Sequence, residues 1–316
     1  MSKDPEVIRS FLERLPKNLH RLDYNELIID CNSRLPNIPI PVVDFGNEKY
    51  KLGQMEWGGS NVIFRARRNE NNRPFDYVSE ISYIPEDKLN LIKDYGRVNK
   101  PKESMFYGSF NKAAACIEAI TRGNYFQLTK SVVFTVGVWK IESPLIWVDI
   151  PFSEKQFQSF YDKVNFESES IKLTDIQKQN IHVKEKLMSS SHFQSDLDFE
   201  VLQFFSDAFA KHDVQNGYDY MISNYYADRA FGRIKGYELN DEVDGISYPS
   251  IAASFQQKNI VLKPEVIKQG KVKFMYAMKI WMVANATGGA DFIPLKQLVK
   301  ADADGKIDWS TGHGRG

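Results

Sequence analysis

Cysteine is scarce in this chain, and its scarcity excludes two classes of protein. The 316 residues include only Cys31 and Cys116, too few for the disulfide framework of a small secreted domain. The two cysteines have no nearby pair of histidines, so they make no zinc signature. Both lie in segments with helical patterns, and we expect both thiols to be reduced and buried.

Long apolar runs are missing as well. The most apolar stretch, residues 274–286, is interrupted by Lys279 and Asn285, whereas a membrane-spanning helix needs about 18 consecutive apolar residues. Residues 1–17 mix charge with a short amphipathic pattern and contain no apolar signal core. These absences predict a cytoplasmic protein that has no membrane partner.

An excess of charge of either sign is also absent. The chain carries 41 basic and 41 acidic residues, which gives a formal net charge of zero. Bulk electrostatic binding to nucleic acid needs a cationic face, so we expect no nucleic-acid partner. The five histidines form no close i, i+4 pair, and no metal is expected. Small anionic ligands are the favoured partners for the arginines.

The remaining composition is that of an ordinary globular protein. Hydrophobic residues make up 42% of the chain and aromatic residues 13%, enough for a full core. No glycine-rich Walker or Rossmann loop is present, so a nucleotide would have to be bound in another way. The chain mixes two periodicities, which predicts an α+β fold. Helical patterns cover residues 5–15, 21–34, 197–211 and 218–231, strand patterns cover 61–65, 75–84, 127–141 and 145–150, and 272–286 fits either.

The N-terminal residues differ from the rest of the chain. Two amphipathic helices are separated by Pro16 and closed by Pro36. We predict an N-terminal helical extension of residues 1–50, which could be a surface for an oligomer or partner or could cover an exposed sheet edge. Residues 51–316 then form the main domain, with a polar helical insertion at about 153–195.

A turn, an aromatic residue and a lone acid follow one another in the middle of the chain. The segment Gly96-Arg97-Val98-Asn99-Lys100-Pro101 predicts a turn, Tyr107 follows it, and residues 112–120 predict a helix because alanine and isoleucine dominate. Glu118 is the single acid of that helix. Burying a carboxylate is costly unless a cation or a function offsets it. Glu118 is therefore a candidate catalytic residue, and the plainer alternatives are a solvated side chain or a pair with Arg122.

An arginine cluster ends the apolar run that begins at residue 61. Arg65, Arg67 and Arg68 follow one another closely there. A guanidinium presents a planar fork of donors that matches phosphate oxygens. Arg65 is thus a candidate ligand for an anion, whereas a solvated cationic turn is the plainer interpretation.

A serine and an asparagine mark the third segment. Residues 244–250 read Asp-Gly-Ile-Ser-Tyr-Pro-Ser and end at Ser250, and Asn259 opens the next apolar run. A serine hydroxyl can both donate and accept hydrogen bonds, so Ser250 could orient a substrate hydroxyl, a phosphate or a nucleophile. The plainer interpretation makes Ser250 the end of a strand and Asn259 a loop residue.

Together, these three segments resemble the RES domain, a bacterial family named for an arginine, a glutamate and a serine. The likeness extends over residues 55 to 265, and it is one of order and local context. The residues that match the family pattern are Arg65 after an apolar pair, with Arg67 a weaker alternative, Arg97 in the turn, Tyr107 at the end of a strand, Glu118 on the following helix, Ser250, and Asn259.

The resemblance implies an ADP-ribosyltransferase-like fold and an activity that consumes NAD. Members are often the toxin half of toxin-antitoxin pairs, and they include NAD phosphorylases, NAD hydrolases and enzymes that ADP-ribosylate a protein. By this resemblance we expect cleavage of NAD at the nicotinamide–ribose bond, with phosphate or water as the acceptor. An antitoxin protein is a candidate partner, and the oligomeric state stays open.

The resemblance also implies roles for the matched residues. Glu118, Arg65 and Ser250 would be catalytic, with Glu118 beside the nicotinamide ribose, Arg65 against the pyrophosphate and Ser250 next to the reacting carbon. Arg97, Tyr107 and Asn259 would bind NAD. Two alternatives remain from the sequence: ADP-ribosylation of a protein target, and a nucleotide-binding module without catalysis.

Overall fold

The computed structural model describes residues 4–35, 37–45, 61–121, 131–156, 193, 195–211, 214, 217–237, 242–250, 257–284, 290–295 and 298–310. The helices are α1 (Pro5–Asn18), α2 (Tyr24–Arg34), α3 (Lys112–Thr121), α4 (Asp196–Phe209), α5 (Met221–Ala230) and α6 (Pro264–Lys268). The strands are β1 (Val42–Phe45), β2 (Val62–Arg68), β3 (Phe106–Ser109), β4 (Val132–Ile141), β5 (Leu145–Asp149), β6 (Gly245–Pro249), β7 (Lys258–Leu262), β8 (Val272–Ala284) and β9 (Ala290–Pro294). Helices and strands are mixed, as expected for an α+β protein.

The chain forms two compact units. The first contains residues 1–43, 90–103 and 146–256, and the second contains residues 44–89, 104–145 and 257–316. Each unit is therefore built from segments that are distant in sequence. The division into an extension of residues 1–50 and a main domain stays a prediction.

The first unit contains the N-terminal helices. The Asp23 side chain accepts a hydrogen bond from the Glu26 N–H at 2.8 Å and forms a capping box with it, which fixes the start of α2. The expected break at Pro16 is wrong, because α1 continues to Asn18. Pro16 lies in the last turn of the helix, where its missing N–H removes only the bond to the Leu12 carbonyl. Pro36 lies outside the described residues.

Aromatic side chains fill the contact between α4 and α5 in the first unit. Phe205 and Phe209 of α4 and Tyr226 of α5 are fully buried, and the Phe205 and Tyr226 rings lie 4.9 Å apart between centroids. Both helices were predicted from their apolar pattern, and both are confirmed. The parallel strands β5 and β6 also belong to this unit, with Trp147 opposite Gly245.

The second unit is built on an antiparallel sheet with the strand order β7-β3-β2-β4-β8-β9. Helix α3 packs on one face, where Cys116 and Ile120 join an apolar cluster that includes Phe134 of β4 and Phe64 of β2. A second cluster around Ile81 covers the other face. Successive side chains of a strand point to opposite faces, so Met278 of β8 belongs to the first cluster and its neighbour Ala277 to the second.

Two strand predictions have clear outcomes. The segment 75–84 is not a strand, because Val78–Ile81 forms a 3-10 helix. The Glu80 carboxylate accepts hydrogen bonds from the Asp76 and Tyr77 N–H groups at 3.0 and 2.9 Å, which closes a turn there. Residues 272–284 of the ambiguous segment form strand β8, which pairs with β4 from Val272 to Met282, and residues 285–286 lie outside the described residues.

Other expectations are met where they can be compared. Strands 61–65 and 145–150 are present as β2 and β5, and β4 accounts for the part of 127–141 that is described. Both cysteines are free and buried. The insertion at 153–195 lies largely outside the described residues. Among the described helices, none has the length and apolar content to cross a membrane.

Candidate functional site

Helix α3 places Glu118 because its start is fixed by a side-chain cap. The Asn111 Oδ1 accepts hydrogen bonds from the Ala113 and Ala114 N–H groups at 2.9 and 3.1 Å, which satisfies two of the free donors at a helix N-terminus. The buried residues Cys116 and Ile120 then face the sheet. Glu118 lies half-buried on the same helix.

The Glu118 carboxylate is hydrogen-bonded to Asn259, the first of the matched pairs that the structure brings together. The Asn259 Nδ2 donates to the Glu118 Oε1 at 2.7 Å. Asn259 lies on β7, not in a loop, and only 3% of it is exposed. Its Oδ1 is buried and has no hydrogen-bond partner among the described residues. A carboxylate only accepts hydrogen bonds, so the amide orientation follows from the contact itself.

Tyr107 lies on the same face of the sheet as this pair. It precedes Ser109 by two positions on β3, and Ser109 is opposite both Asn259 on β7 and Phe64 on β2. Residues two apart on a strand share a face, and Phe64 belongs to the cluster under α3. Tyr107, half-buried, therefore extends from the face that carries α3 and Glu118.

Arg65 extends from the opposite face. It follows Phe64 directly on β2, and its guanidinium lies 5.5 Å from the centroid of the Phe106 ring. Its Nη1 donates to the Tyr107 carbonyl oxygen at 2.7 Å. Arg65 thus contacts the backbone of Tyr107 from the face opposite α3. It belongs to strand β2 and not to a solvated turn.

The alternative arginine has a different environment. Arg67 lies on the same face as Arg65, and its Nη1 donates to the Glu80 carbonyl at 2.5 Å. Its guanidinium stands 4.5 Å above the Phe75 ring, and the residue is exposed. Arg67 is therefore engaged with the turn that contains Glu80, at a distance from α3.

Arg97 and Ser250 belong to the first unit. The Gly96 N–H donates to the Asn99 carbonyl at 2.8 Å, which closes the predicted turn. Arg97 Nη1 donates to the carbonyls of Phe209 and Lys211, and its guanidinium lies over the Tyr220 ring at 5.2 Å. Ser250 follows β6 directly and is fully buried, as expected for a residue that ends a strand.

Residues of α5 hold the Arg97 turn, and the sequence had not identified them. The Asn224 Nδ2 donates to the Gly96 carbonyl at 2.5 Å, and Lys100 Nζ forms an ion pair with Asp228 Oδ2 at 3.0 Å. Asn224 and Asp228 are both buried. Their spacing of four residues puts them on one side of α5. The available signal was the i, i+4 spacing of the two polar residues in the helical pattern of residues 218–231.

Cys116 is the one thiol on α3, and its environment opposes a role as a nucleophile. Burial raises the pKa of the Cys116 thiol to about 12, because the apolar surroundings disfavour a thiolate. The thiol is therefore neutral near pH 7 and acts as a packing residue. Covalent chemistry through this cysteine is not favoured.

These residues form two groups, each within one unit. Glu118, Asn259, Tyr107 and Arg65 are linked in the second unit, and Arg97 is fixed by α4 and α5 in the first. The arrangement holds an oriented carboxylate on the same sheet face as the Tyr107 ring, a combination suited to a cationic transition state. In comparisons with protein-family models, curated proteins and solved structures, no match to this chain was found.

Proposed function

We propose that this protein cleaves NAD at the nicotinamide–ribose bond, with phosphate or water as the acceptor, and acts as the toxin of a bacterial toxin-antitoxin pair. The observation that carries the proposal is the hydrogen bond from Asn259 to the Glu118 carboxylate at 2.7 Å. It joins two residues that the resemblance to the RES domain matched separately. The toxin role and the antitoxin partner rest on that resemblance alone.

The chemistry needs a fixed negative charge. As the bond between C1′ and the nicotinamide nitrogen breaks, its electron pair leaves with nicotinamide and positive charge develops on the ribose, as in glycoside hydrolysis. A preorganised carboxylate stabilises this charge more in the transition state than in the ground state. Glu118 supplies the carboxylate, and Asn259 fixes its orientation by donating from a buried strand.

Other matched residues bind the substrate. Tyr107 shares its sheet face with Asn259 and offers a ring for stacking on nicotinamide or adenine. Arg97 is the pyrophosphate ligand, since a guanidinium matches phosphate oxygens. Ser250 orients the acceptor next to the reacting carbon. Arg65 acts through the Tyr107 carbonyl, a change from the direct pyrophosphate contact expected from the sequence.

The acceptor completes the reaction by bonding to the ribose carbon that nicotinamide leaves. A phosphate oxygen forms the new bond to C1′ and yields ADP-ribose 1″-phosphate. Water yields ADP-ribose after it loses a proton to the solvent or a nearby base. The two acceptors give products that differ by one phosphate group, so they are separable by chromatography.

Nicotinamide release from NAD tests the proposal. Purified protein is incubated with NAD in the presence and absence of phosphate, beside Glu118→Gln and the matched control Glu86→Gln, which changes an exposed glutamate paired with Lys268. We expect release by the wild type and by Glu86→Gln, and loss of most turnover in Glu118→Gln. A folded, fully active Glu118→Gln protein would contradict the mechanism.

The failing outcomes point to other functions. Absence of nicotinamide release under both conditions, with label from NAD appearing on a protein band, would show protein ADP-ribosylation. Tight NAD binding without any release would show a nucleotide-binding module.

A further inference from the structure

The turn that carries Arg97 is held from two sides within the first unit. On one side, α5 contributes Asn224 and Asp228. On the other, α2 contributes Tyr24, whose hydroxyl donates to Asp228 Oδ2 at 2.7 Å. The Tyr24 ring also lies 5.5 Å from the Tyr95 ring, which immediately precedes the turn. Helix α2 therefore contacts the Arg97 turn, since the Lys100 Nζ also lies 5.5 Å from the centroid of the Tyr24 ring.

Asp228 is the centre of this contact. Its side chain is 4% exposed, and it accepts from Tyr24, from Lys100 Nζ at 3.0 Å and from Arg233 Nη1 at 3.3 Å. A buried carboxylate is costly unless cations and donors surround it. Two cations and one phenol supply that compensation. The loss of any one of them therefore weakens the remaining hydrogen bonds and ion pairs of Asp228.

The network continues along the chain past the turn. Arg233 forms an ion pair with Glu103 Oε1 at 2.5 Å, and Glu103 Oε2 accepts from the Lys100 N–H at 2.9 Å. Lys100 is thus fixed by its side chain and by its backbone. Arg97 lies three residues earlier in the same turn, so its placement depends on this hold.

We propose that helix α2 is a positioning element of the NAD site, which fixes the Arg97 turn through the hydrogen bond from Tyr24 to Asp228. The inference rests on the proposed function, because it assigns Arg97 to the pyrophosphate. It gives helix α2 a role in the proposed site, whereas the sequence left the N-terminal extension a choice between a partner surface and a cover for a sheet edge. Tyr24 acts through Asp228 and Lys100 and is a positioning residue.

The phenol is suited to this role. Burial, followed by the nearby Asp228 carboxylate, raises the pKa of Tyr24. The hydroxyl therefore keeps its proton and remains a donor throughout the neutral pH range.

The test compares two phenol-to-phenyl changes between the same pair of helices. Tyr24→Phe removes the bond to Asp228 and keeps the ring beside Tyr95. Tyr225→Phe is the matched control, because the Tyr225 hydroxyl of α5 donates to Asn32 Oδ1 of α2 at 2.7 Å and does not contact the turn. Asp228→Asn is a second variant, which keeps the shape and removes the charge.

Hydrogen exchange of the turn amides gives a readout that does not depend on NAD. The Gly96 and Lys102 N–H groups donate to the Asn99 and Ile92 carbonyls at 2.8 and 2.9 Å. We expect these amides and that of Lys100 to exchange about tenfold faster in Tyr24→Phe, because a hydrogen bond to a charged group is lost. Tyr225→Phe should leave them unchanged, although it should lower the unfolding temperature to a similar extent.

Ligand binding gives the functional readout. In Tyr24→Phe, we expect ADP-ribose affinity to fall about fivefold to tenfold and the KM for NAD to rise by the same factor, with kcat within about twofold. Asp228→Asn should act in the same direction and more strongly. In an Arg97→Met background, Tyr24→Phe should have no further effect on affinity, because the residue that it positions is gone.

The inference and the proposed function fail separately. A wild type that neither binds ADP-ribose nor releases nicotinamide would overturn both. With an active wild type, unchanged turn exchange and unchanged ADP-ribose affinity in Tyr24→Phe and Asp228→Asn would overturn the inference alone. Additive losses in the Arg97→Met background would also overturn it, because α2 would then act somewhere other than at Arg97.

Discussion

The Asn259 amide donates to the Glu118 carboxylate at 2.7 Å, across 141 positions of sequence. The donor is nearly fully buried on β7 and the acceptor half-buried on α3. Asn259 therefore has two effects on Glu118: it limits the rotation of the carboxylate, and it partly compensates for lost hydration. Both effects stabilise one orientation of the side chain.

Substitution of Asn259 should reduce catalysis more than stability. We expect Asn259→Leu, which keeps the branching at Cγ, to lower kcat for nicotinamide release about tenfold to 100-fold, with KM changed less than threefold. The buried Oδ1 makes no hydrogen bond among the described residues, so its removal costs the fold little. Steady-state kinetics and urea unfolding measure the two effects.

Asn259→Asp tests the same hydrogen bond with a smaller change in shape. It keeps the shape of the side chain, but replaces the hydrogen bond to Glu118 with the repulsion of two carboxylates at the same distance. We expect it to be at least as inactive as Asn259→Leu at neutral pH. Wild-type turnover in either variant would mean that Asn259 does not orient Glu118.

Arg65 and Arg97 should respond differently to loss of charge. Arg97→Met should weaken ADP-ribose binding about tenfold or more, because a charge-assisted contact with the pyrophosphate is lost. Arg65→Met should lower kcat while ADP-ribose affinity stays within about twofold, because Arg65 bonds the Tyr107 carbonyl from the other face. Isothermal titration calorimetry with ADP-ribose separates the two roles. Equal losses of affinity in both variants would show that Arg65 contacts the pyrophosphate directly.

The Cys116 thiol should make the protein less stable at high pH. Its pKa is raised by burial to about 12, whereas an exposed thiol in the unfolded chain titrates near ~8.5. The stability due to the neutral thiol is present below the unfolded pKa and is lost as the pH rises towards the folded value. The slope is about 1.4 kcal/mol per pH unit for one thiol.

Urea unfolding of the wild type and Cys116→Ala, under reducing conditions between pH 9 and 11, measures this slope. We expect the wild type to lose stability more steeply than the variant by about that amount. Other groups with raised pKa values, such as Tyr226, contribute equally to both proteins and cancel. Parallel pH profiles would show that the thiol does not titrate in this way.

Gly108 should not tolerate a side chain. A Cβ at this position would overlap with the Ile63 Cγ2 on the neighbouring strand and lie 3.1 Å from the Phe64 carbonyl oxygen. Gly108→Ala should lower the free energy of unfolding by about 1–3 kcal/mol, since a crowded contact between two strands relaxes poorly. Urea unfolding gives the value, and a loss below about 0.5 kcal/mol would show that β2 and β3 can separate without penalty.

The sequence predicted those elements in which hydrophobic pattern and burial coincide. Helix α4 was predicted because Val201, Phe205 and Phe209 recur on one side, and all three are buried. The segment 75–84 was mistaken for a strand because its turn depends on hydrogen bonds to Glu80. Such bonds leave no trace in a pattern of apolar residues.

The candidate site was only partly accessible from the sequence. Glu118 could be singled out as the lone acid of an apolar helix, and the resemblance supplied Asn259. The roles of Asn224 and Asp228 depend on contacts with Gly96 and Lys100, each 128 positions away. Arg65 and Glu118 lie on opposite faces of the sheet because of the way β2 pairs with β3 and β4. The sequence alone does not give that pairing.

The strand order of the second unit has a consequence for synthesis. Strand β3 pairs with β7, and β4 pairs with β8. The ribosome synthesises β7 and β8 more than 100 residues after β3 and β4, so the centre of the sheet can form only after that. Non-local pairings of this kind form slowly and late. A nascent chain that has passed Glu118 but not reached Asn259 cannot assemble the bonded pair. Under the proposed function, nicotinamide release would therefore begin only after β7 has been synthesised.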